Sequence, residues 1–181
     1  QEGGGVANEG TLTIHDCVIS HNRAPGLRWP PGGEVGGGIR NAGQMTIINS
    51  TISENAADHT LGGGIYNRGE MTIINSTVSG NRAYDVVFGL GLGGGIANAG
   101  SMSVTNSTVW GNSADSGGAI AMEPRFFPDG YTEIANTLID GDCEGTGDGS
   151  NLKWVSRGNN IESTGDTCRF DQPTDQANVA G

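Results

Sequence analysis

The residues best equipped for chemistry in this 181-residue chain lie in its irregular segments. Asp58, Asp85 and Asp115, with Arg82 or Arg125, supply the carboxylates and the cationic base that cation binding and proton abstraction use. His59 is alone in a short polar loop and reads as a solvated histidine. Arg28, Trp29, Tyr84, Phe88, Arg125, Phe126, Phe127 and Tyr131 gather rings and guanidinium groups. They suit a sugar-binding strip, where rings stack on sugar faces. They equally suit a subunit contact, where aromatics and Arg are favoured. A third reading has these loops fold back over the chain's own apolar sides. Asp140, Asp142, Glu144 and Asp148 lie in an acidic, glycine-rich run that could hold Ca²⁺ through carboxylate oxygens. The run lacks the EF-hand spacing and reads as a solvated turn. None of these residues is assigned a catalytic role, and no cofactor is called for.

What must position them is a repeat. The segment from Gly36 to Asn55 recurs from Gly62 to Asn81 and from Gly93 to Asn112, with a weaker copy from Gly3 to Asn22. A fifth begins at Gly117 and resumes at Thr132. The conserved core keeps its length while the stretch after its last Asn varies, which marks a solenoid with loops at one point. Each core splits into three short pieces that end in Asn, rich in β-branched residues and too short for helices. The Asn-x-Gly at the first bend (Asn41-Ala42-Gly43, Asn67-Arg68-Gly69) predicts a glycine with positive φ. Three strands and three corners make a triangular coil whose stacked strands pair in parallel. Ile39, Ile65, Ile96 and Ile120 then form one inward column, with Val6 continuing it. Ile47, Ile73, Val104 and Ile134 form another, with Ile14. Asn49, Asn75, Asn106 and Asn136 are expected as a buried amide ladder at one bend. The sequons that start at Asn49, Asn75 and Asn106 are therefore read as structural, because a buried amide cannot carry a glycan.

This geometry places the insertions. Residues 23–35, 56–61, 82–92 and 113–116 all follow the third corner, so they emerge from one edge of the solenoid. The insertion 122–131 leaves at the first corner. Loops on a rigid scaffold are where function concentrates. Composition narrows the classes further. Glycine fills 33 positions, yet there is no Gly-X-Y period, and no apolar run is long enough to span a membrane. A net charge of −11 argues against nucleic acid and against anionic membrane surfaces.

The motifs Gly-Gly-Gly-Ile-x-Asn-x-Gly and Met-Thr-Ile-x-Asn-Ser-Thr-Val-Ser-x-Asn resemble right-handed parallel β-helix repeats of bacterial extracellular proteins. The CSLREA and choice-of-anchor-Q types are the nearest resemblance, and the polymorphic outer-membrane repeats a more distant one. The tail, Ile139-Asp-Gly-Asp-Cys143 through Gly158-Asn-Asn-Ile161 to Cys168, is similar to that family's closing segment, where two cysteines flank a Gly-x-Asn-Leu piece. The resemblance implies a Cys143–Cys168 disulfide, worth about 3.5 kcal/mol on the chain-entropy account, and an oxidising, extracellular or cell-surface setting. It also implies a larger precursor or a shortened relative. Cys17 aligns with Ser50, Ser76 and Ser107 and is expected as a small buried thiol, with an intermolecular bridge or a reactive thiol as the sharper alternative. β-Helix polysaccharide lyases combine a carboxylate-bound Ca²⁺, or a carboxylate neutraliser, with an Arg or Lys base. No such set recurs on this chain's regular faces.

The expected fold is thus all-β: a right-handed parallel β-helix of about six triangular coils over residues 1–142, closed by a disulfide-held capping segment over 143–181. Open coil ends expose unpaired backbone groups. They would be covered by a missing precursor segment or by head-to-tail self-association, which could extend to a filament. The expected function is a non-catalytic structural or adhesive surface protein. The alternative is a polysaccharide-binding or lyase-type protein that uses the loop edge.

Overall fold

The computed structural model describes residues 4–25, 35–85, 91–122, 130–145, 153–163 and 165–179. Among them every regular element is a strand, and no helix is long and apolar enough to cross a membrane. The second coil shows the plan: Ile39–Asn41, Gln44–Ile48, Thr51–Ser53 and Ala56–Asp58. Equivalent strands of successive coils pair in parallel and in register, for instance Met45 with Met71 and Met71 with Met102. Three six-stranded sheets and one four-stranded sheet result. The first runs from Val6–Asn8 to Cys143–Gly145, and the second from Thr11–His15 to Lys153–Ser156. The third runs from Val18–Ser20 to Ile161–Glu162. The fourth comprises Arg23–Pro25, Ala56–Asp58, Arg82–Tyr84 and Ser113–Ala114.

The fourth sheet corrects the triangular coil. Among the described residues the first four turns have four strands each and the last two have three. The stretch after the third Asn starts as a strand because an alanine falls at its centre. Ala24, Ala57 and Ala83 are buried and lie in register on successive coils.

The core consists of the expected columns. Ile39, Ile65, Ile96 and Ile120 are fully buried, as are Ile47, Ile73 and Val104, and Ile134 nearly so. Met45, Met71 and Met102 form a third column beside them. Alternation does this: in Gln44–Ile48, Met45 and Ile47 face inward while Gln44, Thr46 and Ile48 face out.

The buried amide ladders are not the expected one. Asn49, Asn75, Asn106 and Asn136 stack at the second corner but are exposed, with φ between 47° and 52°. Their amides meet only in the pairs Asn75–Asn49 (3.4 Å) and Asn136–Asn106 (2.7 Å). They are left-handed corner residues, a conformation Asn tolerates better than most side chains. Burial falls to their neighbours Ser50, Ser76 and Ser107, whose hydroxyls accept the backbone N–H of the preceding coil. The continuous ladders occupy the other corners. At the first, Asn8 donates Nδ2–H to Asn41 Oδ1, Asn41 to Asn67 and Asn67 to Asn98, at 2.7, 2.8 and 2.8 Å. At the third, Asn22, Asn55, Asn81 and Asn112 repeat the arrangement at 2.9–3.0 Å. These bonds satisfy amides that would otherwise be costly to bury.

Glycine at the first bend also has another cause than expected. Gly43, Gly69 and Gly100 are not among the positive-φ residues. A Cβ on Gly43 would lie 2.1 Å from Gly10 O, and one on Gly69 2.1 Å from Gly43 O. The coil beneath excludes a side chain there.

The chain from Cys143 to Glu162 supplies the sixth turn, and Cys143 is disulfide-bonded to Cys168. The fully buried Glu162 carboxylate accepts from Thr167 N and Oγ1 at 2.8 Å and from Cys168 N at 3.2 Å. Gln176 then bridges to Ile161 across the outer edge of the third sheet.

Candidate functional site

Six of the sequence-derived residues, Asp58, His59, Arg82, Tyr84, Asp85 and Asp115, converge on the fourth sheet and the turns that follow its strands. Asp58 lies in register with Tyr84 on the next coil, and His59 and Asp85 follow them. Arg23, one coil below, donates Nε–H to Asp58 Oδ2 at 2.5 Å. The Arg82 guanidinium sits 5.5 Å from the Tyr84 ring centroid, within cation–π range. Tyr84 stays 43% exposed.

Deeper in the same edge, His59 Nδ1 is 3.1 Å from Asp85 Oδ1, and the Asp85 side chain is only 1% exposed. Asp115 Oδ2 accepts from the backbone N–H of Asp85 and of Gly91, both at 3.0 Å. His59 is therefore not a freely solvated histidine. It ties coil two to coil three, while Asp115 ties coil four to coil three. The His59 backbone N–H also donates to the Tyr84 carbonyl oxygen at 2.6 Å. Chemically, each carboxylate already has a partner: a guanidinium, an imidazole or a pair of amides. Such a set organises a surface.

Tyr131 is elsewhere. It opens a strand of the second sheet, Tyr131–Ala135, instead of joining the loop edge. Its hydroxyl donates to Glu133 Oε2, which Arg157 Nη2 also approaches at 2.9 Å. The Arg157 hydrogen bond, then that of Tyr131, holds the Glu133 carboxyl below its usual range. The Glu133 bond in turn raises the Tyr131 phenol. Glu133 and Arg157 were missed in the sequence, although the Tyr-x-Glu spacing on a strand puts both side chains on one face.

Arg28, Trp29, Phe88, Arg125, Phe126, Phe127 and Asp148 lie outside the described residues. Of the acidic run, the Asp140 carboxylate accepts from Ser163 Oγ, Asp142 is exposed and Glu144 is half-buried. Among the described residues no group of three His, Cys, Asp or Glu is placed to hold a metal ion. Cys17 is exposed, contrary to the buried thiol expected of it. It occupies the buried serine position, but in the first coil no described residue lies beneath it.

Register-matched coils, stacked inward columns and polar ladders at the corners define a parallel β-solenoid. Residues 1–164 match the family described as the right handed beta helix region, and the chain belongs to that family. Its turns are accordingly right-handed. No curated protein and no solved structure matches the chain significantly.

Proposed function

We propose that this protein is an extracellular, non-catalytic structural or adhesive solenoid whose loop edge is a contact surface for a second copy of the chain. The observation that carries the proposal is the arrangement on the fourth sheet. The exposed Tyr84 ring and Arg82 lie beside paired charges, Arg23–Asp58 and His59–Asp85, spread over three successive coils. Exposed Tyr and Arg on a rigid base are what protein interfaces use as anchors. The paired carboxylates favour contact over acid–base work, since a general base needs an unengaged oxygen within reach of a substrate proton. The disulfide supports the extracellular setting.

Sedimentation velocity across a concentration series tests the proposal. The wild-type chain associates, and Tyr84→Ala with Arg82→Ala shifts it to monomer. A chain that stays monomeric at every concentration, or that associates equally well without Tyr84 and Arg82, refutes the contact surface. Release of unsaturated sugars from an acidic polysaccharide refutes the non-catalytic reading.

A further inference from the structure

A second surface lies on the third sheet, between the second corner and the third. A shallow groove of about 300 Å³ runs along the second corner of the last three coils. Its rim is the exposed corner column Asn106, Asn136 and Asn159, and its wall is Thr108 and Leu138. Thr108 pairs with Leu138 in register, and Trp110, two residues further along the strand, faces the same way. Trp110 is 54% exposed, more than any other described large aromatic side chain.

The hydrogen-bonding capacity of this surface is largely unspent. Asn136 donates Nδ2–H to Asn106 Oδ1. That leaves Asn106 Nδ2, Asn136 Oδ1, the Asn159 side-chain amide and Thr108 Oγ1 with no hydrogen bond among the described residues. The groove lining contains no ionisable side chain. Beyond it the backbone register carries Trp110 toward Asp140, whose carboxylate is a further acceptor.

We infer that this groove, together with Trp110, is a binding site for a neutral glycan chain. Three features of the ligand follow from the chemistry. An exposed indole face suits the C–H face of a pyranose ring, as an apolar body with a polar rim. Amides and a hydroxyl serve sugar hydroxyls, which both donate and accept. A chain of net charge −11, with Asp140 near the ring, disfavours uronic acids and sulfated sugars. Strands rise about 3.3 Å per residue and stack about 4.8 Å apart. The distance from the amide rim to Trp110 therefore takes more than one sugar ring. The inference does not depend on the loop-edge contact.

The test is titration of the full chain, followed by tryptophan fluorescence, with cellohexaose, mannohexaose and chitohexaose, and with hexagalacturonate as the charged comparator. At least one neutral oligosaccharide is expected to bind saturably and hexagalacturonate not to. Trp110→Ala should weaken binding more than about tenfold, the scale of losing a Trp anchor. Asn159→Ser should weaken it independently, and Tyr84→Ala should leave it unchanged. Far-UV circular dichroism checks that each variant folds, and isothermal titration calorimetry replaces fluorescence for the variant without Trp110. The inference is overturned if none of the three neutral oligosaccharides binds, if Trp110→Ala binds as the wild type does, or if binding moves with Tyr84 instead.

Discussion

The direction of the amide ladders can be tested at Asn67. This fully buried side chain donates Nδ2–H to Asn98 Oδ1 (2.8 Å), Ser101 O (3.1 Å) and Gly69 O (3.2 Å). Its Oδ1 accepts from Asn41 Nδ2 (2.8 Å) and Gly69 N (3.2 Å). Asn67→Ala removes all five bonds and leaves the Asn41 and Asn98 amides buried without them. With each bond worth about 0.5–1 kcal/mol net, the loss is about 3 kcal/mol. For a urea slope of about 2 kcal/mol/M, that lowers the midpoint by about 1.5 M. Asn67→Asp keeps the shape and the accepting oxygen but aims a second oxygen at three acceptors. The second carboxylate oxygen, buried against acceptors and without a donor, adds about 2 kcal/mol at neutral pH. Burial raises its folded-state pKa, so the extra loss grows as pH rises through the unfolded carboxyl value near 4 and is smaller in acid. Urea unfolding of both variants at pH 7 and pH 4.5 reads this out. If Asn67→Asp is as stable as Asn67→Ala at pH 7, the amide points the other way and the ladder as described is wrong.

The glycine at the first bend offers a paired comparison. Gly43→Ala should cost more than about 3 kcal/mol, because its Cβ meets Gly10 O at 2.1 Å, whereas Gly10→Ala has nothing within 4 Å and should be neutral or slightly stabilising. Equal thermal midpoints for the two variants would discredit close approach as the reason for glycine. Cys17 should react with a maleimide in the native state within minutes, one label per chain, while Cys143 and Cys168 stay bonded; slow labelling that needs denaturant would contradict its exposure. Because Glu133 is held below its usual pKa, its contribution to stability is present above about pH 4.5 and is lost as pH falls through its lowered value. Glu133→Gln should therefore flatten the acid limb of the stability curve by less than about 1 kcal/mol, and an unchanged limb would show that Arg157 and Tyr131 do not act on it.

The inward columns were legible because isoleucine, methionine and valine recur at fixed offsets whatever the loop lengths. Choosing among the asparagines was harder, since coils two to four each have one at all three corners and residue type alone does not tell a buried amide from a left-handed exposed one. A signal was nonetheless present. The Asn8, Asn41, Asn67 and Asn98 set is followed by x-Gly, and the Gly N–H bonds back to the Asn oxygen, which fixes the amide inward. The fourth strand had its own mark, an alanine two residues after each third-corner Asn, hidden because alanine is a poor strand former. Trp110 escaped notice because serine holds its position on the coils below, so no repeat pattern singled it out. The gathering of His59, Asp85 and Asp115 depends on how far each insertion runs before turning back, which spacing does not encode.

Coils two to four bond to the coils directly above and below them through repeated corner ladders. The corner ladders and inward columns of coils two to four therefore allow a whole turn to be gained or lost, while the coil-specific pairs at the loop edge, Arg23–Asp58 and His59–Asp85, go with the turn that carries them. Excising Gly38–Gly63 in frame would bring Gly5 and Gly64 into the relation that Gly5 and Gly38 now hold, with Asn8 donating to Asn67. Length, and with it the reach of any surface carried on the third and fourth sheets, is a quantity that duplication and deletion of single turns can adjust in steps of about 4.8 Å.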